Sequence, residues 1–411
     1  MRGPRRKENV MEKIRYVYRE KTKPACVGRE FLHFRETEAR QVLQYHRSFP
    51  EYRETPLADL SALAEYLGVA GLYVKDESFR FGLNAFKVLG GSWCIGNYIA
   101  KQLGKPLEEL TFDWLTAPET REALGPLTFV TATDGNHGRG IAWTSARLGQ
   151  SSYVYMPRGS AQERLDNITA AGAHASITDM LYDDVVRFAR DQAEANGWVL
   201  VQDTSWPGYE EIPLWIMQGY MTMAYEAVRQ LGETRPTHVF LQAGVGSMAG
   251  AVAAFLANYY GDGRPIITVV EPHGADCVYQ TALHGDGALY PTQGDMQTIM
   301  AGLACGEVCS LAWLLLNACG DCFVTISDST AAQGMRVLGN PLDGDPRVIS
   351  GESGASATGL VVELLRDPSC TELREKLKLD ENSRILCFST EGDTDRENYR
   401  RIVWDGAYSN R

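Results

Sequence analysis

Nine short runs rich in β-branched and aromatic residues recur along the chain, separated by stretches of helical periodicity. The runs are LYVK (72–75), LTFVTA (127–132), SSYVYMP (151–157), HASIT (174–178), WVLVQD (198–203), THVFLQAG (237–244), IITVVEP (266–272), CFVTIS (322–327) and RILCFST (384–390). Between them, AQERLDNITAAGA and DDVVRFARDQAEANG read as amphipathic helices; in the second, Val185, Val186, Phe188 and Ala189 make an apolar stripe. Alternation of this kind predicts an α/β fold with largely parallel sheets. Such sheets place ligands beyond the carboxyl ends of their strands, so the strand ends are where function is sought. With 411 residues the chain exceeds one ordinary core, and two lobes are expected. Residues 101–126 are expected to be loop-rich, and DGAYSN near the end to be a tail.

Charge and composition narrow the function classes. The formal net charge of −12 disfavours nucleic acid as a partner. No apolar run approaches the ~20 residues needed to span a bilayer, so no membrane partner is expected. The segment MRGPRRKENVMEK is basic but lacks the apolar core of a signal peptide, and it reads as a frayed arm. The nine cysteines are scattered. CGDC at 319–322 is one isolated pair, without the second pair that a zinc site requires, so no metal is expected. A reduced, cytoplasmic protein fits this usage, with a Cys277–Cys305 bridge left open.

Four strand ends carry polar or glycine chemistry. QAGVGSMAG (242–250) lies between a strand and a helix; Gly244, Gly246 and Gly250 clear space for converging amides, and a helix N-terminus adds partial positive charge. It is a phosphate cradle or a tight strand–helix turn. It lacks the Lys-Ser/Thr of a P-loop and the glycine spacing of a dinucleotide site. TATDGNHGRG (131–140) places Asp134, Asn136 and His137 in one turn; the plain alternative is a helix cap. His137 is expected to shape that loop rather than move protons. Asp203 closes the run WVLVQD, as a functional carboxylate or a helix cap. CFSTEGD (387–393) offers Ser389 and Thr390, or a simple turn.

A lysine, Lys87, sits in the apolar stretch GLNAFKVLGG (82–91). An apolar seat lowers a lysine's pKa and makes its amine a nucleophile. Pyridoxal phosphate is the cofactor that needs both a lysine and a phosphate cradle.

In this order the motifs resemble the tryptophan-synthase-β-like (fold type II) pyridoxal-phosphate enzymes. GLNAFKVLGG, TATDGNHGRG, DTSW, TIMAGLACGE and STEGDTD are, within that group, similar to the diaminopropionate ammonia-lyases, over about residues 30–405. The resemblance implies two α/β lobes with the active site in the cleft between them: a large domain of 1–91 plus 206–411 and a small domain of 92–205. It implies that Lys87 binds pyridoxal 5'-phosphate covalently and that Asn136 hydrogen-bonds its 3'-oxygen. The amides of Gly244, Val245, Gly246, Ser247 and Met248 would hold the phosphate, and Ser389 or Thr390 would face the pyridine nitrogen. VEPHGADC and GESGASATG are read as structural, with no role for Glu352 or Ser353. A homodimer acting on a small-molecule amino acid is expected.

One departure bears on the substrate. Related dehydratases have a serine where this chain has Asp134. A carboxylate there repels a substrate carboxylate but attracts an ammonium, or takes a proton. A second amine on the substrate is therefore expected, as in 2,3-diaminopropionate, with Asp203 available to the same β-ammonium. The expected reaction is α,β-elimination to pyruvate and two ammonia through 2-aminoacrylate. Lys87 and Asp134 would serve as bases for opposite enantiomers. The alternatives are a serine/threonine dehydratase and a non-catalytic binding relative of the fold.

Overall fold

The computed structural model describes residues 14–19, 28–133 and 135–409. The basic arm 1–13, Asp134 and the final Asn410 and Arg411 lie outside the described residues. Among the described residues, eleven strands form two sheets. They are β1 (Ile14–Tyr18), β2 (Leu57–Asp59), β3 (Gly71–Asp76), β4 (Thr128–Ala132), β5 (Ser151–Met156) and β6 (His174–Ile177), then β7 (Val199–Leu200), β8 (His238–Gln242), β9 (Ile266–Pro272), β10 (Cys322–Ile326) and β11 (Arg384–Ser389).

The larger sheet runs β1-β10-β9-β8-β11-β3-β2 and the smaller β6-β5-β4-β7. Every pairing is parallel except the two at the edges of the larger sheet, β1 with β10 and β2 with β3. The expected α/β fold is present, and all nine expected runs contain a strand. Two inner strands of the larger sheet, β8 and β10, are buried at every position, so their burial is continuous rather than alternating. The run expected at 198–203 is a strand only over Val199–Leu200. Beyond it the Gln202 side chain takes over the ladder, its Oε1 accepting from the Ala132 amide at 3.0 Å. Asp203 is thereby released from the sheet. The 101–126 segment is more ordered than expected: Phe112–Thr116 and Pro118–Leu124 are short helices, and Leu110 and Leu115 are buried in the main core.

Lys87 immediately precedes the helix Val88–Gln102, which is wedged between Asn136–Arg147 on one side and Glu211–Gly219 on the other. The glycines after the lysine serve this wedge. A Cβ on Gly90 would stand 2.8 Å from the Ile216 carbonyl, and one on Gly91 would stand 2.9 Å from Ile141 Cδ1. On the opposing helix, a Cβ on Gly140 would stand 2.8 Å from Val88 Cα. The Gly pair thus admits neighbouring helices.

The connection from β3 to the lysine is fixed by buried charge. Arg80 is fully buried and forks onto Glu77 at 2.8 Å and Glu226 at 2.7 Å, while Lys75 reaches Glu226 at 2.8 Å. Burial works to raise the Glu226 pKa, but Arg80 and Lys75 outweigh it and hold the carboxylate below its usual range. Two cations and two anions cancel, and Thr55, Tyr52 and Gln230 occupy remaining hydrogen-bond positions. Such a set gives modest net stability when whole and is costly when one member is removed. Replacing Glu226 by Ala is expected to destabilise the protein by about 3–5 kcal/mol, read as a lowered midpoint in denaturant unfolding. A midpoint unchanged from wild type would show that the network does not anchor this segment.

Candidate active site

The carboxyl ends of four parallel strands converge on one cleft. β4 delivers Thr133, Asn136 and His137; β7 delivers Asp203; β8 delivers Gln242 and the glycine loop; β11 delivers Thr390 and Glu391. Lys87 and Phe86 enter from the start of the wedged helix. Two further segments close the wall, Ala301–Cys305 from the TIMAGLACGE motif and Ser353 from GESGASATG.

Lys87 does not occupy the apolar seat expected of it. Its ammonium sits 5.7 Å from the Phe86 ring centre and donates directly to Asp203 Oδ2. Asp203 is 5% exposed and Lys87 18%. Burial works to raise the Asp203 pKa, but the Lys87 charge, then His137, then the hydrogen bond from Lys87 reverse this and hold it at about 2. Asp203 is therefore an anion throughout the ordinary pH range. It is not a helix cap.

His137 is buried and donates Nε2–H to the Val201 carbonyl at 2.8 Å. This fixes the neutral tautomer and leaves Nδ1 a bare acceptor, with no partner among the described residues. Burial lowers its pKa, and Asp203 opposes this only in part. The turn before it is held by Thr133, whose Oγ1 accepts from the Gly135 amide at 3.0 Å and the Gly138 amide at 3.1 Å. Thr133, Asn136 and His137 line the cleft.

The glycine loop is shaped by a helix start and by close packing. Gly246 has φ +94°, a conformation that favours glycine, and it precedes the helix Ser247–Tyr260. The opening turn of a helix leaves its amides without internal acceptors. A Cβ on Gly244 would stand 2.9 Å from Cys305 Sγ and 3.2 Å from the Gly302 carbonyl. Ser247 Oγ donates to the Asp203 carbonyl at 2.7 Å, tying the cradle to the smaller sheet. No disulfide joins Cys277 and Cys305; both are buried thiols.

Of the two hydroxyls expected at the end of β11, Thr390 lines the cleft, with its Oγ1 accepting from Gln242 Nε2 at 2.9 Å. Ser389 is fully buried, donates to Ser350 Oγ at 2.8 Å, and does not line the cleft. Glu391, Gln242, Tyr182 and Phe86 also line it and had no role in the sequence reading. Glu391 and Tyr182 look like surface residues in sequence, because an acid in STEGD or a tyrosine in DMLYDD carries no mark of burial. Ser353 also lines the cleft, and its Oγ accepts from the Gly302 amide at 3.1 Å. Glu352 is buried close behind. No cluster of metal-binding side chains occurs among the described residues.

A lysine, an amide cradle and a cleft between two mainly parallel sheets define a fold type II pyridoxal-phosphate-dependent enzyme. Residues 49–391 match the family described as Pyridoxal-phosphate dependent enzyme. The chain is 47% identical over 399 residues to a diaminopropionate ammonia-lyase of Salmonella typhimurium, covering 96% of this chain and 99% of that protein. A crystal structure of diaminopropionate ammonia lyase from Escherichia coli, in complex with an aminoacrylate-PLP azomethine reaction intermediate, superposes with TM-score 0.88 at 45% identity, covering 97% of this chain and 98% of that one. Threonine deaminase isoform 2 of Solanum lycopersicum shares the fold, with TM-score 0.66 at 21% identity over 89% of this chain and 93% of that one. The chain belongs to the pyridoxal-phosphate-dependent enzymes and, among them, to the diaminopropionate ammonia-lyase family.

The residues fit that cofactor. The loop has no room for a side chain at Gly244, residues 244–248 line the cleft at the start of the helix Ser247–Tyr260, Lys87 lines the same cleft, and the buried Glu391 Oε1 has no partner among the described residues.

Glu352 supplies a pH test. Burial, then the nearby Glu391, raise its pKa to about 7. Its ordinary carboxyl value is lower, so the folded state holds a proton that the unfolded state has released between the two values. Stability from this group is present at low pH and is lost as pH rises through about 7. Replacing Glu352 by Gln is expected to match wild type in thermal unfolding near pH 5 and to exceed it at pH 8, by up to ~3 kcal/mol. An equal difference at both pH values would contradict the assignment.

Proposed function

We propose that this enzyme eliminates ammonia from 2,3-diaminopropionate and releases 2-aminoacrylate, which hydrolyses to pyruvate and a second ammonia. The observation that supports this substrate best is the Asp203 carboxylate, buried, ionised and already holding an aliphatic ammonium, that of Lys87. A substrate β-ammonium is the same chemical group. Serine and threonine, which carry a β-hydroxyl, give a buried anion nothing to neutralise, and the dehydratase alternative is weaker for that reason.

Lys87 Nζ would hold the pyridoxal aldehyde carbon. The amides of Gly244, Val245, Gly246, Ser247 and Met248 would take the phosphate, Asn136 the 3'-oxygen, and Thr390 the pyridine nitrogen. When bound, pyridoxal phosphate supplies an electron sink for the α-carbon of an amino acid. The chain's own residues then move protons. Once the substrate's α-amine has replaced it on the aldehyde carbon, Lys87 Nζ would be free to take the α-proton from one enantiomer, and the carboxylate of Asp134 would take it from the other. Asp203 receives the β-ammonium and keeps it charged and ready to leave. His137, neutral and fixed by Val201, turns an acceptor toward the cleft without adding charge. A hydroxyl at the pyridine nitrogen does not stabilise a cationic ring as a carboxylate does, which suits elimination over transamination. The lobe 92–205 closes over the substrate in this reading. The working unit is a cytoplasmic homodimer; no helix among the described residues is long and apolar enough to cross a membrane.

Pyruvate release from D- and L-2,3-diaminopropionate, with serine and threonine beside them, tests the reading. Preference for both diaminopropionate enantiomers is expected. A preference for serine or threonine would return the chain to the dehydratases. Asp134→Asn is expected to cost one enantiomer about 10²–10⁴-fold while largely sparing the other. Equal loss on both would remove the two-base assignment. In Lys87→Ala the visible absorption of lysine-linked cofactor is expected to vanish, and a variant retaining that band would remove Lys87 from its role.

A further inference from the structure

Glu391 is buried to 2% exposure at the wall of the cleft, in the turn that follows β11. Its Oε2 accepts from Asn136 Nδ2 at 2.6 Å and from Thr394 Oγ1 at 3.2 Å. Its Oε1 is buried and has no partner among the described residues. Asn136 is the first residue of its helix on the smaller sheet, whereas Glu391 belongs to the larger one. The bond between them thus crosses the cleft. The Glu391 backbone is in turn paired with Ala85, two residues before Lys87, and the Phe86 amide donates to the Thr390 carbonyl at 3.1 Å.

An amide side chain can present either its oxygen or its NH₂ to a ligand, and only its partners decide which. A carboxylate accepts and does not donate, so Glu391 selects the NH₂ end of Asn136. One of the two Nδ2 hydrogens is then spent on Glu391 and the other is left to point elsewhere. An anionic ring oxygen on a bound ligand needs a donor of this kind. A carboxylate serving only to brace a turn would have both oxygens satisfied by the protein, and Glu391 does not.

We propose that Glu391 is the positioning residue that turns the amide of Asn136 so that its second Nδ2 hydrogen faces the 3'-oxygen of bound pyridoxal phosphate. The inference deepens the proposed function and rests on it, since it needs the cofactor in this cleft. It also makes Glu391 a link from the cofactor ring to the lysine segment through Ala85.

The test is a double-mutant cycle on the full-length protein with Asn136→Ala, Glu391→Ala and the pair. It is read by the cofactor dissociation constant and by the position and pH dependence of the visible band. Asn136→Ala is expected to weaken cofactor binding about tenfold or more, the weight of one charge-assisted hydrogen bond, and Glu391→Ala to do nearly the same. The double variant is expected to bind no more weakly than Asn136→Ala alone. Glu391→Gln fills the same space with a neutral acceptor and is expected to fall between, with a shifted band. It replaces Glu391→Ala in the cycle if the alanine variant does not fold. Losses that multiply in the double variant, with an unmoved band in either Glu391 variant, would overturn the inference while leaving the proposed function standing. A wild-type protein that binds no cofactor and shows no band would overturn both.

Discussion

The contact between the Lys87 ammonium and the Asp203 carboxylate joins two sheets that are otherwise built separately. Lys87 belongs to a helix entered from the larger sheet, and Asp203 leaves the last strand of the smaller one. Asp203 is also tied to the glycine cradle, through its carbonyl and Ser247 Oγ. One residue therefore registers Lys87, through its carboxylate, and the glycine loop, through its backbone carbonyl, against one another. The same carboxylate is a buried anion, and a buried anion is stable only beside a cation. Once Lys87 is committed to a cofactor, that requirement passes to whatever enters the cleft, and an amine-bearing substrate meets it.

Support for this contact comes from below. Arg80, Glu77, Glu226 and Lys75 fix the path from β3 to the lysine with charges that cancel inside the core. Past them, Phe81 and Asn84 take positive φ values of 50° and 57°, an unfavourable backbone for residues with side chains. The surroundings hold it there: the Gly392 amide donates to the Asn84 carbonyl at 3.0 Å, Asn84 Nδ2 donates to Asp393 at 3.1 Å, and Arg139 donates to the Leu83 carbonyl at 2.9 Å. The strained turn is thereby held by the β11 end on one side and the helix Asn136–Arg147 on the other, close to Lys87.

Much of this was legible in the sequence because parallel sheets concentrate chemistry at strand ends. Lys87, Asn136, Asp203, the 244–248 loop and Thr390 all announce themselves by polar or glycine residues following apolar runs, and they share one cleft. What was not legible depends on tertiary neighbours. β2, three residues long, and β1 are antiparallel edge strands with one partner each, too slight or too isolated to stand out by pattern. The helix packing that the Gly90–Gly91 pair serves is revealed only by the position of Ile216 and Ile141. Ser389 and Thr390 are adjacent, and only the alternation of side chains along β11 sends the first to Ser350 and the second to the cleft. Glu391 carries no signal at all until its burial is seen.

The central claim is that Asp203 selects the substrate by its charge. The most direct measurement is the ratio of kcat/KM for 2,3-diaminopropionate to that for serine, in wild type and in Asp203→Asn. Removing the anion while keeping its shape is predicted to lower this ratio by about tenfold or more, because diaminopropionate loses a charge partner that serine never had. An unchanged ratio, with both substrates losing equally, would contradict the account and reduce Asp203 to a general support of the cleft.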